Sequence, residues 1–210
     1  MAVRRAGAGD WPAIRELACL TGDGGDPIEP KRRPFLAEEW IGPYQWLAPD
    51  WTYVVEKGGG LAGYLTGCPD TAAFERARAF RVTLPLLARV AAGRYGWTVD
   101  TRRFVRRAFG LARAAEECFP AALLATLPTH YPAHLHMNVG AGFRGGGLGT
   151  ALMERYLDAL GENGTPGVHL FCGAGPLGFY RRQGFAELAS IALPDGFRLH
   201  VLGRPLGVSG

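Results

Sequence analysis

The sequence predicts an α/β protein, a mixed sheet flanked by helices, and three observations predict it. Runs such as "TYVVEK", "LAGYLTGC", "HLHMNV" and "GVHLFC" are β-rich or alternate in polarity, and turn residues bound them. Segments between them, "AIRELACL" and "GLGTALMERYLDAL" among them, place apolar residues at helical spacing. With 48% hydrophobic and 20% charged residues, a chain of 210 residues can bury the core of one elaborated domain.

In chain order, "AVRRA" is a short strand. Asp10 follows as the N-cap of "WPAIRELACL", and Pro12 in the first turn suits a helix start. "TGDGGDPIEPKRRP" is a loop by its glycines, prolines and aspartates, and "FLAEEWIGPYQWL" is partly helical. "WTYVVEK" and "LAGYLTGC" flank glycines as a hairpin. From about 70 to 127 the chain is arginine-rich and helical in period, which predicts a helical insertion within a single domain spanning 1–210. "HYPAHLHMNV" returns to strand alternation, "GLGTALMERYLDAL" is a helix and "GVHLFC" a strand. "GPLGFYRRQ" is a short helix, and "GFAELAS" and "FRLHVLGRP" close the sheet.

Composition excludes several classes. No run of 18 apolar residues exists, so no membrane span is expected. The charged start of the chain does not read as a signal peptide. Cys19, Cys68, Cys118 and Cys172 lie far apart without a C-x-x-C pair, which predicts free thiols, a cytoplasmic setting and no metal site. The net charge of +4 is almost wholly arginine, Lys31 and Lys57 being the two lysines, and arginine suits an anionic ligand. Arg102, Arg103, Arg106 and Arg107 recur along one side of a helix; they are read as a solvated face rather than a nucleic-acid site.

The stretch "NVGAGFRGGGLGTALM" joins a strand to a helix. Gly140, Gly142 and Gly145 fit G-x-G-x-x-G, but so do Gly173, Gly175 and Gly178, and no acidic residue ends the next strand, "VHLFC". A nucleotide P-loop fails too, since no lysine precedes Thr150. What remains is Arg144, Gly145, Gly146, Gly147, Leu148, Gly149 and Thr150 opening a helix. Unpaired N–H groups and the positive end of the helix dipole converge there on one point, suited to a pyrophosphate. Side chains at 145–147 and 149 would obstruct that approach, while Leu148 faces the core.

This segment resembles the Arg/Gln-x-x-Gly-x-Gly/Ala motif of the Gcn5-related N-acetyltransferases (GNAT). "GFYRRQGF", residues 178–185, resembles the family's Phe/Leu-Tyr-x-x-x-Gly-Phe, and "VRRAGAGDWPAIREL" is similar to its first strand and helix. The resemblance covers about 1–68 and 130–205. It implies a mostly antiparallel sheet splayed between strands 4 and 5. "YPAHLHMNV" and "GFYRRQGFAELASIALPDGFRLHVLGRPL" further resemble the acetyltransferase-like domain of O-GlcNAcases and its free-standing bacterial relatives. Where many members carry Asn and Ala before the Phe-Tyr pair, this chain has Gly173 and Pro176.

The resemblance implies acetyl-CoA as co-substrate, no metal, and direct transfer of the acetyl group to a primary amine in a ternary complex. It implies cofactor contacts from the Arg144–Thr150 loop, from the strand edge at Met137, Asn138 and Val139, and from Gly173, Pro176, Phe179 and Tyr180. Tyr180 is the candidate donor to the departing thiolate, since a phenol is protonated at neutral pH. His134, His136 and Asn138 share one strand face by period two, with Leu135, Met137 and Val139 on the other. His134 and His136 are the candidate bases, with His130, Tyr131 or a water relay as alternatives. Trp40, Tyr44, Trp46 and Trp51 are candidates for an acceptor pocket, and the insertion for its wall. The acceptor and the oligomeric state stay open, and the rival function is a non-catalytic acyl-CoA- or protein-binding module on the same fold.

Overall fold

The computed structural model describes residues 2–194 and 196–207. Strand β1 (Val3–Arg5) leads to helix α1 (Trp11–Leu20), and α2 (Arg33–Trp40) and α3 (Gly42–Leu47) follow. The predicted hairpin is β2 (Tyr53–Lys57) with β3 (Gly60–Cys68). Four helices come next: α4 (Thr71–Arg78), α5 (Leu84–Ala91), α6 (Val99–Ala108) and α7 (Ala121–His130). Then come β4 (Ala133–Val139), α8 (Leu148–Glu162), β5 (Gly167–Cys172), α9 (Leu177–Arg182), β6 (Ala186–Ala192) and β7 (Arg198–Pro205). The sheet order is β1-β2-β3-β4-β5-β7-β6, and every pair except β4–β5 is antiparallel.

The parallel pair is short. Ala133 faces Val168 and His134 faces His169, and beyond them β4 and β5 part. β4 nevertheless stays paired with β3 along its length, from His134 opposite Cys68 to Val139 opposite Gly63. A notch therefore opens on one edge of β4 only.

Helix α8 covers one face of the sheet. Leu148, Leu152, Met153, Tyr156 and Leu160 fall on one stripe, all nearly inaccessible to water, and they pack on Tyr53, Leu65, Leu135 and Val168. Burying each such aliphatic side chain contributes about 1.5–3 kcal/mol, so this stripe outweighs the glycines at the start of the helix. The Tyr156 hydroxyl fixes the position further, donating to the carbonyls of His134 (2.7 Å) and Cys68 (3.2 Å). It passes so close to Gly67 that a Cβ there would meet it.

On the opposite face α1 packs over β2 and β3 through Ile14, Leu17, Val54 and Tyr64. α7 covers β5 and β7 through Leu127, Phe171, Leu199 and Val201. Helices α5 and α6 dock on α2, with Leu86, Val90 and Phe104 against Phe35 and Leu36. Among the described residues three ion pairs cross the same contact: Arg32 holds Asp100 at 2.6 and 2.8 Å, Arg89 holds Glu38, and Arg107 holds the buried Glu39.

One expectation changes. Asp10 precedes α1 but makes no side-chain cap; its carboxylate takes the Gly7 N–H (2.7 Å) and the Arg4 guanidinium (2.6 and 2.9 Å). That pairing holds the carboxyl below its usual range. Pro12 within the first turn, by contrast, starts α1 as expected.

Candidate active site

The glycine loop lies where the notch opens. β4 ends at Val139, a short turn spans Ala141–Phe143, and α8 begins after Gly147. Gly145 and Gly147 both adopt φ of +79°, a left-handed backbone that side chains rarely tolerate. The first bond of α8 runs from the Ala151 N–H to the Gly147 carbonyl, so the amides of Leu148, Gly149 and Thr150 precede it. A Cβ at Gly145 or Gly147 would meet nothing within 4 Å, and one at Gly146 only the Phe143 carbonyl and the Lys57 ammonium, at 3.5 and 3.8 Å. Successive amides, a helix N-terminus and a cation thus face open space, an arrangement suited to phosphate oxygens.

Several predicted contacts have other causes. Gly149 is bare because Phe179 packs on it: a Cβ would stand 3.3 Å from that ring and 3.6 Å from Met137 Cε. Gly173 likewise accommodates Phe197, whose ring would lie 2.8 Å from an added Cβ. The Arg144 side chain folds back onto the Val139 carbonyl (3.2 Å) and the Gly25 carbonyl (3.4 Å), tying the 21–28 loop to the end of β4. It is a strap, and the charge beside the loop is Lys57, which no sequence spacing links to residue 146. Thr150 accepts a bond from Gln183 (3.3 Å), Leu148 is buried, and Pro176 starts α9, its carbonyl taking the amides of Phe179 and Tyr180.

The open edge of β4 follows from period two. The Gly140 N–H pairs with Ala62 of β3, so even-numbered residues direct their amides to β3 and odd-numbered ones toward β5. With β5 gone beyond His134, the N–H groups of Met137 and Val139 face the notch. Tyr180 approaches from α9, packed against Phe179 and Phe185 at ring separations of 5.2 and 5.8 Å. Burial raises its pKa, as does Cys172 nearby, so the phenol keeps its proton.

The two histidines of β4 face the other side of the sheet. His134 is partly buried and paired at both ring nitrogens: Thr71 Oγ1 lies 2.9 Å from Nδ1 and Tyr44 OH 2.9 Å from Nε2. Thr71 already donates to the Pro132 carbonyl, so it accepts from Nδ1–H, and Tyr44 donates to the Nε2 lone pair. Burial, with His169 near, lowers its pKa to about 3. Such a histidine is a structural hinge pin with no lone pair free for a substrate. His136 differs, since it is exposed to the cleft, with the Asn138 amide 3.3 Å from Nε2 and donating to Tyr64 OH at 2.9 Å. The protein around it lowers its pKa toward about 4, and its contact with water moderates that depression.

The remaining candidates lie elsewhere. His130 sits at the exposed end of α7 with Nδ1 on the Thr126 carbonyl (3.2 Å), and Tyr131 packs against β7 at Gly203. Trp46 is 63% exposed, while Tyr44 is committed to His134. Among the described residues no group of three or more His, Cys, Asp or Glu side chains could hold a metal, and no helix is long and apolar enough to cross a membrane.

No family model matches the chain. Solved structures do. SsHAT shares 28% identity over 98% of each chain with a TM-score of 0.74. A ribosomal-protein-alanine N-acetyltransferase from Brucella melitensis is 17% identical over 98% of this chain and all of its own, at a TM-score of 0.53. A GCN5-related N-acetyltransferase from Kribbella flavida is 18% identical over 98% and 97% of the two chains, also at 0.53. From β1 through β7 the chain has the fold of SsHAT and of these two N-acetyltransferases.

Proposed function

We propose that this chain is an acetyl-CoA-dependent N-acetyltransferase that passes the acetyl group directly to a primary amine in a ternary complex. One observation carries the reading: the open glycine loop at the head of α8 lies beside the notch where β4 and β5 part. Amides at 145–150 and Lys57 hold the phosphates, and the pantetheine arm then runs along the open edge of β4. The N–H groups of Met137 and Val139 face the thioester carbonyl, where preorganised donors are worth roughly 3 kcal/mol at a developing oxyanion. Tyr180 donates its proton to the departing thiolate. His136, with Asn138 and Tyr64 beside it, accepts the proton of the attacking amine; His134 is locked and serves the scaffold. We read the chain as one domain in which the 70–127 helices form a wall on the acceptor side.

A rival reading, an acyl-CoA- or protein-binding module without turnover, draws on the lack of any carboxylate in residues 130–140. Calorimetric titration of acetyl-CoA decides the first step. Wild type binds at micromolar affinity, Gly146→Ala binds nearly as well, and Gly146→Glu loses binding while remaining folded. Residue 146 is the discriminating position because its φ is ordinary and its surroundings admit a side chain. Absence of binding to wild type would sink the transferase reading. Binding without acetylation of any amine in a broad acceptor screen would favour the rival.

A further inference from the structure

Buried polar atoms are paired as a rule, and an exception calls for a cause. His200 on β7 is 6% exposed, and its Nε2 has no hydrogen-bond partner. Its Nδ1 is occupied by Glu187 Oε1 on β6 at 3.1 Å. A carboxylate accepts only, so the proton sits on Nδ1 and Nε2 presents a lone pair. With Nδ1 turned to β6, the other side of the ring looks away from that strand. On β5, directly opposite His200 in the ladder, stands Cys172. Cross-strand partners share a face with Cβ atoms about 5 Å apart, so the thiol and the imidazole lie on one side of the sheet, with no hydrogen bond between them here, and a side-chain rotation of either would bring them together. Tyr180 packs over the same face, near enough to Cys172 for the thiol to add to the burial that raises the phenol's pKa.

We propose that Cys172 is an acyl acceptor in its own right, taking the acetyl group from acetyl-CoA as a thioester, with His200 as base and Glu187 orienting the imidazole. The inference rests on the transferase reading above, because Tyr180 marks where the CoA sulfur would sit. An Sγ–carbon bond forms as the carbon–sulfur bond to CoA breaks. The thiol proton passes to His200 Nε2, and a proton returns to the CoA thiolate through Tyr180. One thioester and one thiol thus become another such pair, with no oxidant and no net proton. Burial pushes the Cys172 thiol up to about 11, so it attacks only with a base alongside, and the unpartnered Nε2 is that base.

The test uses the full chain and acetyl-CoA with no amine present. After an acid quench, intact mass and peptide mapping show one acetyl group on the Cys172 peptide, released by neutral hydroxylamine. Cys172→Ala abolishes it, and His200→Gln slows its formation about 100-fold. Calorimetry on the same samples separates the two readings. Acetyl-CoA bound with no adduct, or an adduct that survives Cys172→Ala, overturns the thioester and leaves the transferase standing. No binding at all overturns both. Glu187→Gln slows adduct formation while acetyl-CoA affinity stays at the wild-type value; a fall in affinity alongside the rate would show Glu187 to be structural only. Arg181→Gln, which removes the other partner of Glu187 at 2.9 Å, leaves the rate of adduct formation unmoved.

Discussion

His134 and His136 stand two residues apart on one face of β4, and their neighbours separate them chemically. Tyr44, Cys68, Thr71 and His169 surround the first, whereas the second meets cleft water. Arg78 and the ring of His136 add to the burial that keeps His134 neutral. Its folded-state pKa of about 3 lies below the value near 6.5 of an unfolded chain. Between those two values the unfolded chain binds the extra proton, so His134 supports the fold fully above pH 6.5 and progressively less as the pH falls toward 3. From pH 7 to pH 5 the loss assigned to this side chain is about 2 kcal/mol. His134→Gln removes it, so urea midpoints of wild type and variant should converge on acidification, while groups common to both cancel. Parallel pH dependences would show that His134 is not held neutral.

At the scale of elements, the candidate site is a junction of β4, α8 and α9, and Gly149 sets the distance between the two helices. Phe179 occupies the space that a side chain at 149 would take. Gly149→Val therefore pushes α9, and Tyr180 with it, away from the notch. The expected cost is about 1–3 kcal/mol in chemical unfolding, with weakened acetyl-CoA binding, while Gly142→Ala, open on every side, is neutral. Phe179→Leu should recover part of the loss in the double variant; simple additivity would mean the two residues do not meet. The strands and helices were legible because their periods are strong, as in "HLHMNV" and "GLGTALMERYLDAL". The loop was legible as a place but not residue by residue. Four bare positions look alike in a sequence, yet 145 and 147 are glycine for their backbone angle and 149 for a ring that arrives thirty residues later. Arg144, expected at the loop, turns to Gly25, and Lys57, to which the sequence assigned no part, lies beside Gly146 for the same reason, since only the fold brings those residues together.

Across the whole molecule, charge is divided unevenly. Residues 70–127 hold ten arginines and five carboxylates, so this stretch accounts for the positive balance of the chain. Part of that charge is spent internally, Arg107 on Glu39 and Arg89 on Glu38, and together with Asp100 on Arg32 these pairs fasten α5 and α6 to α2. α2 in turn packs on α1, and α1 on β3, so the same contacts set where α5 and α6 stand relative to the sheet. The Glu39 pair is the sensitive one. Glu39 is 5% exposed, and its burial raises the carboxyl pKa in spite of Arg107. A raised folded-state pKa means that the folded chain holds the proton more tightly, so the ionised carboxylate costs stability as pH rises through the usual carboxylate range. Arg107→Leu leaves that charge without its partner. Loss of one member of a buried pair costs about 3–5 kcal/mol, and the 38% exposure of Arg107 brings the expectation down to about 2 kcal/mol. Glu39→Leu combined with Arg107→Leu removes both charges and should return to wild-type stability or exceed it. Unfolding of the four variants at pH 7 and pH 5 reads this directly. Arg107→Leu should be less destabilised at pH 5 than at pH 7, since burial raises the Glu39 pKa and acidification favours its neutral form. A single variant equally weak at both values, or a double variant weaker than either single, would mean that the helices are held to α2 by something other than this balance of charge and burial.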